Sequence, residues 1–339
     1  MKPFERTEVE RADADALYAS LRRMKIVSAD IPIALRALSG GVSSDIYRAD
    51  AAGSTFCVKR ALPKLKVAAD WQAPVSRNRA EVAWLRRAAQ WAPGHAPAIL
   101  ADDPQGCAFA MEWLPPARYP TWKELLRDGH ADVATAAAVG DLLGRIHSAS
   151  ADAAEVAAEF DNRDTFHAIR LEPYLVATAH AHPDLAAPLH ALVASIQSHR
   201  RVLVHGDFSP KNILIGPGGP VMLDAECACF GDPAFDVAFV VNHLLLKGLW
   251  RPQWKARYVD LMHALVSAYS AHVRWESWRS LEARVAALLP ALLLARADGK
   301  SPAEYLDDDA KRQVRTFARP RVANAPTDLA CVGRDWCAT

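Results

Sequence analysis

The sequence carries almost no net charge: 40 lysines and arginines stand against 39 aspartates and glutamates, leaving +1 at neutral pH. Without a field of one sign there is no electrostatic footprint for a polyanion, which argues against a nucleic acid partner. Long apolar runs are missing too. The most apolar stretch, residues 285–295, contains Pro290 and is flanked by arginines. It falls far short of the ~20 apolar residues that a membrane span needs. The first residues, Met1-Lys2-Pro3-Phe4-Glu5-Arg6, lack the apolar core of a secretory signal. Cysteine is sparse, with six in 339 residues. That rules out a disulfide-dense framework and makes a reducing cytoplasm the expected compartment. No internal repeat or low-complexity tract is present. What remains, 51% hydrophobic and 23% charged, is the composition of a soluble globular chain long enough for one large domain or two modest ones.

Periodicity gives the organisation. Residues 7–24 place Val9, Ala12, Ala16, Leu17, Leu21 and Met24 at mixed three- and four-residue spacing, the mark of an amphipathic helix. Short β-like runs follow at 33–38, 45–49 and 55–60, then a helix over 75–91 and strands near 98–101 and 107–114. Leu114-Pro115-Pro116 is a strong boundary signal. Beyond it helices dominate, at 121–128, 132–148, 165–180 and 184–199. A compact β-rich island then occupies 202–204, 212–215 and 221–223. Helices return at 234–246, 253–272, 277–296 and 302–318. Pro320, Pro326 and Gly333 make the last twenty residues read as loosely ordered. The expected class is α+β, with a small β-rich lobe over residues 1–113 and a larger helical lobe over 114–339.

The chemistry concentrates in the β-rich island. His205-Gly206-Asp207-Phe208-Ser209-Pro210-Lys211-Asn212-Ile213-Leu214 is followed by Val221-Met222-Leu223-Asp224. Apolar runs on both sides bury their backbones and leave polar groups at strand ends. Asp207 and Asn212 are joined by a Pro-bent loop, and Asp224 closes the next strand. Phosphoryl transfer from ATP needs such groups: a carboxylate near the acceptor hydroxyl, and hard oxygen ligands that hold Mg²⁺ against the phosphates.

This stretch resembles the phosphotransfer loop of the kinase superfamily, H-x-D-x-x-x-x-N followed by a metal-binding Asp. The His-Gly-Asp variant, Asp224-Ala225-Glu226, and Gly231-Asp232-Pro233-Ala234-Phe235-Asp236 resemble the aminoglycoside phosphotransferase and choline kinase family. The resemblance runs over about residues 35–300. It implies a bilobal protein-kinase-like fold with MgATP held between the lobes. Lys59, in Phe56-Cys57-Val58-Lys59, takes the place of the lysine that neutralises ATP phosphates, with Glu81 on the next helix as its partner. Strand alternation puts Cys57 on the face of Lys59, at the ceiling over adenine. Gly40, Gly41, Ser43 and Ser44 occupy the phosphate-covering loop, where glycine lets the backbone approach phosphate and serine adds hydroxyl donors. Ala110-Met111-Glu112-Trp113-Leu114 matches the hinge strand, so Met111, Glu112 and Leu114 belong to the adenine site, and Leu214 to the floor beneath it. Asp207 is the catalytic carboxylate, while Asn212 and Asp224 are the metal ligands.

Other residues invite sharper readings than their context supports. His205 is expected to brace the loop rather than move protons, and Asp236 to accept backbone hydrogen bonds from it. Cys227 and Cys229 form a lone C-x-C pair, read as small core residues rather than zinc ligands. Asp307-Asp308-Asp309 is read as a solvated helix start in preference to a trap for a cationic acceptor. Trp250, Trp254, Trp275 and Trp278 read as helix packing, one of them a candidate for the acceptor pocket. Lys211 stands at the penultimate loop position, a candidate for contact with the γ-phosphate or an anionic acceptor. The short interval between Asp224 and Asp236 leaves no room for a regulated activation segment, which argues against protein substrates. The sequence thus points to an ATP- and Mg²⁺-dependent small-molecule kinase that acts on a hydroxyl of an aminoglycoside-, sugar- or amino-alcohol-like acceptor. The alternative is a catalytically silent nucleotide-binding or regulatory module on the same fold.

Overall fold

The computed structural model describes residues 8–26, 28, 31–38, 43–63 and 74–339, with side chains from Asp15 onward. The chain divides into two compact units, one of Met1–Arg86 and Pro97–Leu114, the other of Arg87–Ala96 and Pro115–Thr339.

The first unit holds a five-stranded antiparallel sheet. Its strands are β1 (Ala34–Ala37), β2 (Ser44–Ala51), β3 (Ser54–Ala61), β4 (Ile99–Asp103) and β5 (Ala108–Glu112), in the order β1-β2-β3-β5-β4. The β2–β3 hairpin turns on Ala52 and Gly53, both at positive φ (49° and 78°), the conformation that keeps a two-residue turn in step with strand twist. Helix α1 (Glu8–Met24) lays Leu17, Leu21 and Met24 against Ala49, Ala51, Phe56, Val58, Ala108 and Ala110. Because successive strand residues face opposite sides, Phe56 and Val58 in that core leave Cys57 and Lys59 on the other face of β3. Helix α2 (Arg77–Trp91) follows, with Glu81, Val82, Trp84 and Leu85 buried.

The second unit is mostly helical: α3 (Trp122–Arg127), α4 (Val133–Ser150), α5 (Ala154–Glu159), α6 (Arg163–Phe166), α7 (Ala177–Ala181), α8 (Ala186–Ser198), α9 (Pro233–Trp250), α10 (Lys255–Ser270), α11 (Trp278–Asp298), α12 (Asp308–Ala323) and α13 (Leu329–Cys337). Two small antiparallel ladders stand among them. β6 (Val202–Val204) pairs with β9 (Cys229–Gly231), and β7 (Ile213–Gly216) with β8 (Gly219–Met222). Residues 87–96 join this unit through the Met222 N–H donating to the His95 carbonyl at 2.9 Å, and through the His95 ring 2.7 Å from the Pro220 carbonyl. Helix α9 is buried along nearly its whole length, as a helix that is apolar all round must be. No helix among the described residues is long and apolar enough to cross a membrane.

Two local expectations fail. The helix expected over 165–180 is interrupted by a widened stretch, His167–Val176, that closes i→i+5 and contains Pro173. Pro173 has no amide to donate to an α-helical ladder, and its carbonyl accepts from the Lys300 N–H at 2.9 Å. The last twenty residues are ordered, not loose. Pro320 lies in the last turns of α12, and Asp328 caps α13 by accepting from the Cys331 N–H at 2.9 Å. Leu329, Val332 and Trp336 are buried, with the Trp336 ring edge-on to Phe317 at 4.8 Å. Asp307 caps α12 through the Ala310 N–H at 2.8 Å, so the acidic triplet is a helix start. If α13 is part of the core, Trp336→Ala lowers unfolding free energy by about 3–5 kcal/mol, read from urea midpoints. A change below about 1 kcal/mol would place the segment outside the cooperative fold.

Candidate active site

In the first unit, Lys59 reaches Glu81 across the gap from β3 to α2. The Lys59 Nζ is 2.8 Å from both carboxylate oxygens of Glu81, and the two residues are only 3% and 2% exposed. A charge this deep persists only when paired, so each of these residues fixes the other. Cys57 lies on the same face, its thiol pushed up to about 12 by burial, which keeps it protonated and inert. Met111 sits opposite Cys57, and Glu112 opposite Phe56. The Glu112 N–H donates to the Ala98 carbonyl at 2.9 Å, so that donor is committed to the sheet. Leu114 is the last residue of this unit. Gly40 and Gly41 lie outside the described residues, but Ser43 and Ser44 are described and buried. Sequence reasoning missed Arg77, whose Nη2 donates to the carbonyls of Ser43 (2.5 Å) and Leu62 (2.6 Å) and so clamps the end of the loop to the end of β3.

In the second unit the loop from His205 to Asn212 hangs from one carboxylate. Asp236, in the first turn of α9 and fully buried, accepts the N–H groups of His205 (2.6 Å) and Gly206 (2.9 Å) and contacts His147 Nε2 at 3.3 Å. Gly206 has φ +76°, and a Cβ there would meet the Cys227 carbonyl at 2.5 Å, so no other residue fits. His205 is a brace: its Nε2 donates to the Leu223 carbonyl at 2.9 Å, and its Nδ1 accepts from the Asp207 N–H at 3.2 Å. Burial pushes its pKa down, so it stays neutral and keeps that tautomer. Cys227 and Cys229 are buried beside the loop, and burial pushes both thiols up.

Asp207 itself is 3% exposed. Three groups converge on its Oδ2: Arg170 Nη2 at 3.0 Å, Lys211 Nζ at 3.0 Å and Asn212 Nδ2 at 2.8 Å. No hydrogen bond from the described residues reaches Oδ1. Burial alone would raise this carboxyl's pKa, but the charges of Arg170 and Lys211 outweigh it and hold it below the ordinary range. Arg170 is a second residue that sequence reasoning missed. It comes from the widened helix, and its other nitrogens donate to the Gly206 carbonyl (Nε, 2.5 Å) and the Ile169 carbonyl (Nη1, 2.7 Å). The widened turn is the signal that could have found it, since i→i+5 stretches gather at functional sites. Reading that segment at a period of 3.6 hides it.

Asn212 spends its amide hydrogens on the Asp207 carbonyl (3.0 Å) and carboxylate, which leaves its side-chain oxygen as the remaining acceptor. The Leu223 N–H donates to the Asn212 carbonyl at 2.9 Å, and this bond sets Asp224 beside it. Asp224 has φ +64°, a strained conformation of the kind found at functional sites. An amide oxygen and a carboxylate in this arrangement are a hard-oxygen donor set that fits a small divalent cation completed by water and phosphate oxygens. Among the described residues no group of three or more His, Cys, Asp or Glu could hold a metal alone. Leu214, on β7 opposite Val221, is buried.

Residues 34–271 match the phosphotransferase enzyme family. Among curated proteins, a methylthioribose kinase of Escherichia coli is 27% identical over 266 residues, covering 68% of this chain and 63% of that one. The chain spans about three fifths of the length of the curated relatives it matches. Among solved structures, an amicoumacin kinase in complex with AMP-PNP, Ca²⁺ and Ami has a TM-score of 0.57 at 15% identity, covering 87% of this chain and 89% of that one. A choline kinase from Cryptosporidium parvum Iowa II also has a TM-score of 0.57, at 13% identity over 96% of this chain and 100% of that one. The α+β, protein-kinase-like expectation for the fold therefore holds.

The Arg170–Asp207 pair has a testable electrostatic consequence. Removing the guanidinium in Arg170→Met leaves a buried carboxylate short of charge and lowers stability at pH 7 by about 3–5 kcal/mol. Asp207 has a depressed pKa in the native protein, so its stabilisation is present above the unfolded value of about 3.9 and fades as pH falls through the native value. The gap between wild type and variant, followed by denaturant titration, therefore narrows on acidification below pH 4. A gap independent of pH would contradict the assignment.

Proposed function

The chain belongs to the phosphotransferase enzyme family, and from that premise we propose that it is a small-molecule kinase that moves the γ-phosphoryl group of ATP to an alcohol. The observation that carries the reading is Asp207, with one carboxylate oxygen approached by Arg170, Lys211 and Asn212 and the other reached by no hydrogen bond from the described residues. The free oxygen is suited to accept a hydrogen bond from the acceptor hydroxyl. Because Arg170 and Lys211 keep Asp207 ionised, it is a weak base. It orients the hydroxyl and takes the proton late, as the oxygen–phosphorus bond forms, the bond from phosphorus to the bridging oxygen breaks and ADP departs. The Lys59–Glu81 pair supplies a fixed ammonium for the phosphates. Cys57, Met111, Glu112, Leu114 and Leu214 are assigned to the adenine, and Ser43 and Ser44 to the phosphate-covering loop. Asn212 and Asp224 would hold Mg²⁺, which neutralises phosphate charge. The methylthioribose kinase relatives favour a sugar-like hydroxyl compound as acceptor. With Lys59, Asp207, Asn212 and Asp224 all present, and the Lys59–Glu81 pair formed, a silent nucleotide-binding module is the weaker alternative.

The test is ADP release from MgATP across pooled hydroxylated acceptors: aminoglycosides, macrolides, pentoses, hexoses, choline-like amines and hydroxy acids. Release should depend on one pool, fall about 10²–10⁴-fold in Asp207→Asn and vanish in Asp224→Ala. Unchanged turnover in Asp224→Ala, or tight MgATP binding with no acceptor-dependent release from any pool, would count against the proposal. With Asp207 ionised throughout, kcat/KM should show no loss from this group as pH falls from 7 to 5. A carboxylate pKa in that interval, seen in the profile and lost in Asp207→Asn, would contradict the late-proton assignment.

A further inference from the structure

One stripe of α9 carries a second cluster that the phosphoryl chemistry does not use. Phe239, His243, Lys247 and Trp250 follow each other at four- and three-residue spacing and so share a helix face. The stripe starts at the catalytic loop, where the Arg170 guanidinium lies over the Phe239 ring at 5.9 Å. The His243 ring meets Phe239 edge-on at 5.1 Å. Farther along, the Lys247 Nζ lies 5.3 Å from the centre of the Trp250 ring and 5.1 Å from that of Tyr305, and these two rings stack at 4.6 Å.

The charges around this stripe are unbalanced. Burial, and then the fields of Arg296, Lys247, Lys211 and Lys123, push the pKa of His243 well down. Two of these cations have carboxylate partners: Lys211 pairs with Asp207, and Lys123 with Glu304 at 2.5 Å. Lys247 and Arg296 form no ion pair among the described residues; the carboxylate whose field they feel is Glu304, which is already paired with Lys123. Lys247 is 1% exposed, and burial pushes its pKa down to about 7. Arg296 is 8% exposed and bonds only the carbonyl and hydroxyl of Ser301. Its Nε and the Tyr305 hydroxyl are buried without a hydrogen-bond partner. Cation–π contacts offset part of the desolvation of Lys247, but the unmet groups are donors. An ammonium, a guanidinium N–H and a phenol together call for an acceptor-rich anion.

We propose that this cluster anchors a carboxylate of the acceptor, so that the substrate is a hydroxylated carboxylic acid whose far end offers its alcohol to Asp207. This rests on the kinase reading and narrows its substrate class. Asp236, which holds the loop that carries Asp207, and Lys247 lie about three turns apart on α9, so the acid must be extended, with its reacting hydroxyl at the end remote from the carboxylate. An ammonium-bearing acceptor would add a like charge to Lys247 and Arg296 and be rejected.

The experiment uses three matched pairs, gluconate with sorbitol, lactobionate with lactitol, and pantothenate with panthenol, together with choline as a cation. Binding is measured by calorimetry and ADP release by a coupled assay, in wild type and Lys247→Met. At least one acid should bind about tenfold or more tighter than its neutral partner, and Lys247→Met should erase that preference. Removing an unpaired buried charge should also leave the variant melting at or above the wild-type temperature. That outcome separates a binding lysine from a structural one, whose loss would lower the melting temperature. The proposal is overturned if no acid binds at millimolar concentration, if neutral partners or choline bind as well, or if the preference survives in Lys247→Met. Acid binding with no ADP release from any probe would keep the anion site and count against the kinase reading. Release from sorbitol, lactitol and panthenol as readily as from the acids would do the reverse.

Discussion

A single buried carboxylate, Asp236, holds the second unit's functional loop in shape. It sits in the first turn of α9, takes the N–H groups of His205 and Gly206, and is itself held by His147, whose other ring nitrogen is 2.9 Å from the Tyr269 hydroxyl. That chain of contacts ties the loop to α9, α4 and α10, three of the helices that form the core. Two backbone donors aimed at one carboxylate would be expensive to leave unpaired in this interior. The loop therefore has one low-energy conformation, and Asp207 follows from it.

From that anchor, polar satisfaction propagates outward. His205 uses both ring nitrogens to link Asp207 and Leu223, Leu223 links Asn212, and Asn212 returns to Asp207. Arg170 closes the ring from the opposite side, bonding the Gly206 carbonyl and pairing with Asp207. Such a network rigidifies as its buried members find partners. That rigidity explains why the strained backbone of Gly206 and Asp224 persists: the surroundings determine each position more than once.

The first unit solves a simpler problem by the same rule. Lys59 and Glu81 are too deep to be charged alone, and they pair at 2.8 Å. Their positions follow from strand alternation and from the packing of α1 on the opposite face of the sheet. In the second unit the charge rule is incomplete along α9, where Lys247 and Arg296 are buried with no ion-pair partner among the described residues. Groups that weaken a fold are retained where function uses them.

Much was legible in the sequence because the chemistry is written in contiguous or regularly spaced residues. The run from His205 to Asn212, the Asp224 that ends the next strand, and the Lys59 strand with its alternation need no distant partner to be read. The strand and helix order follows from apolar periodicity, and the Asp236 contacts from the Gly-Asp-Pro helix start. Where the local period changes or the signal is short, the sequence misleads. The widened helix at His167–Val176 breaks the 3.6 pattern, and β9 is three residues long. The proline-bearing end of the chain looks loose until Trp336 finds Phe317. Only the tertiary structure could bring Arg170 to Asp207, Arg77 to the ends of two strands, or Lys123, Arg296 and Tyr305 to the face of α9. Those neighbours are far apart along the chain, and no local propensity encodes a charge's partner. The sequence alone determined which groups are the candidates for chemistry, because each is fixed by its own loop or strand. The tertiary structure decided which charges are balanced, because that depends on what burial brings together.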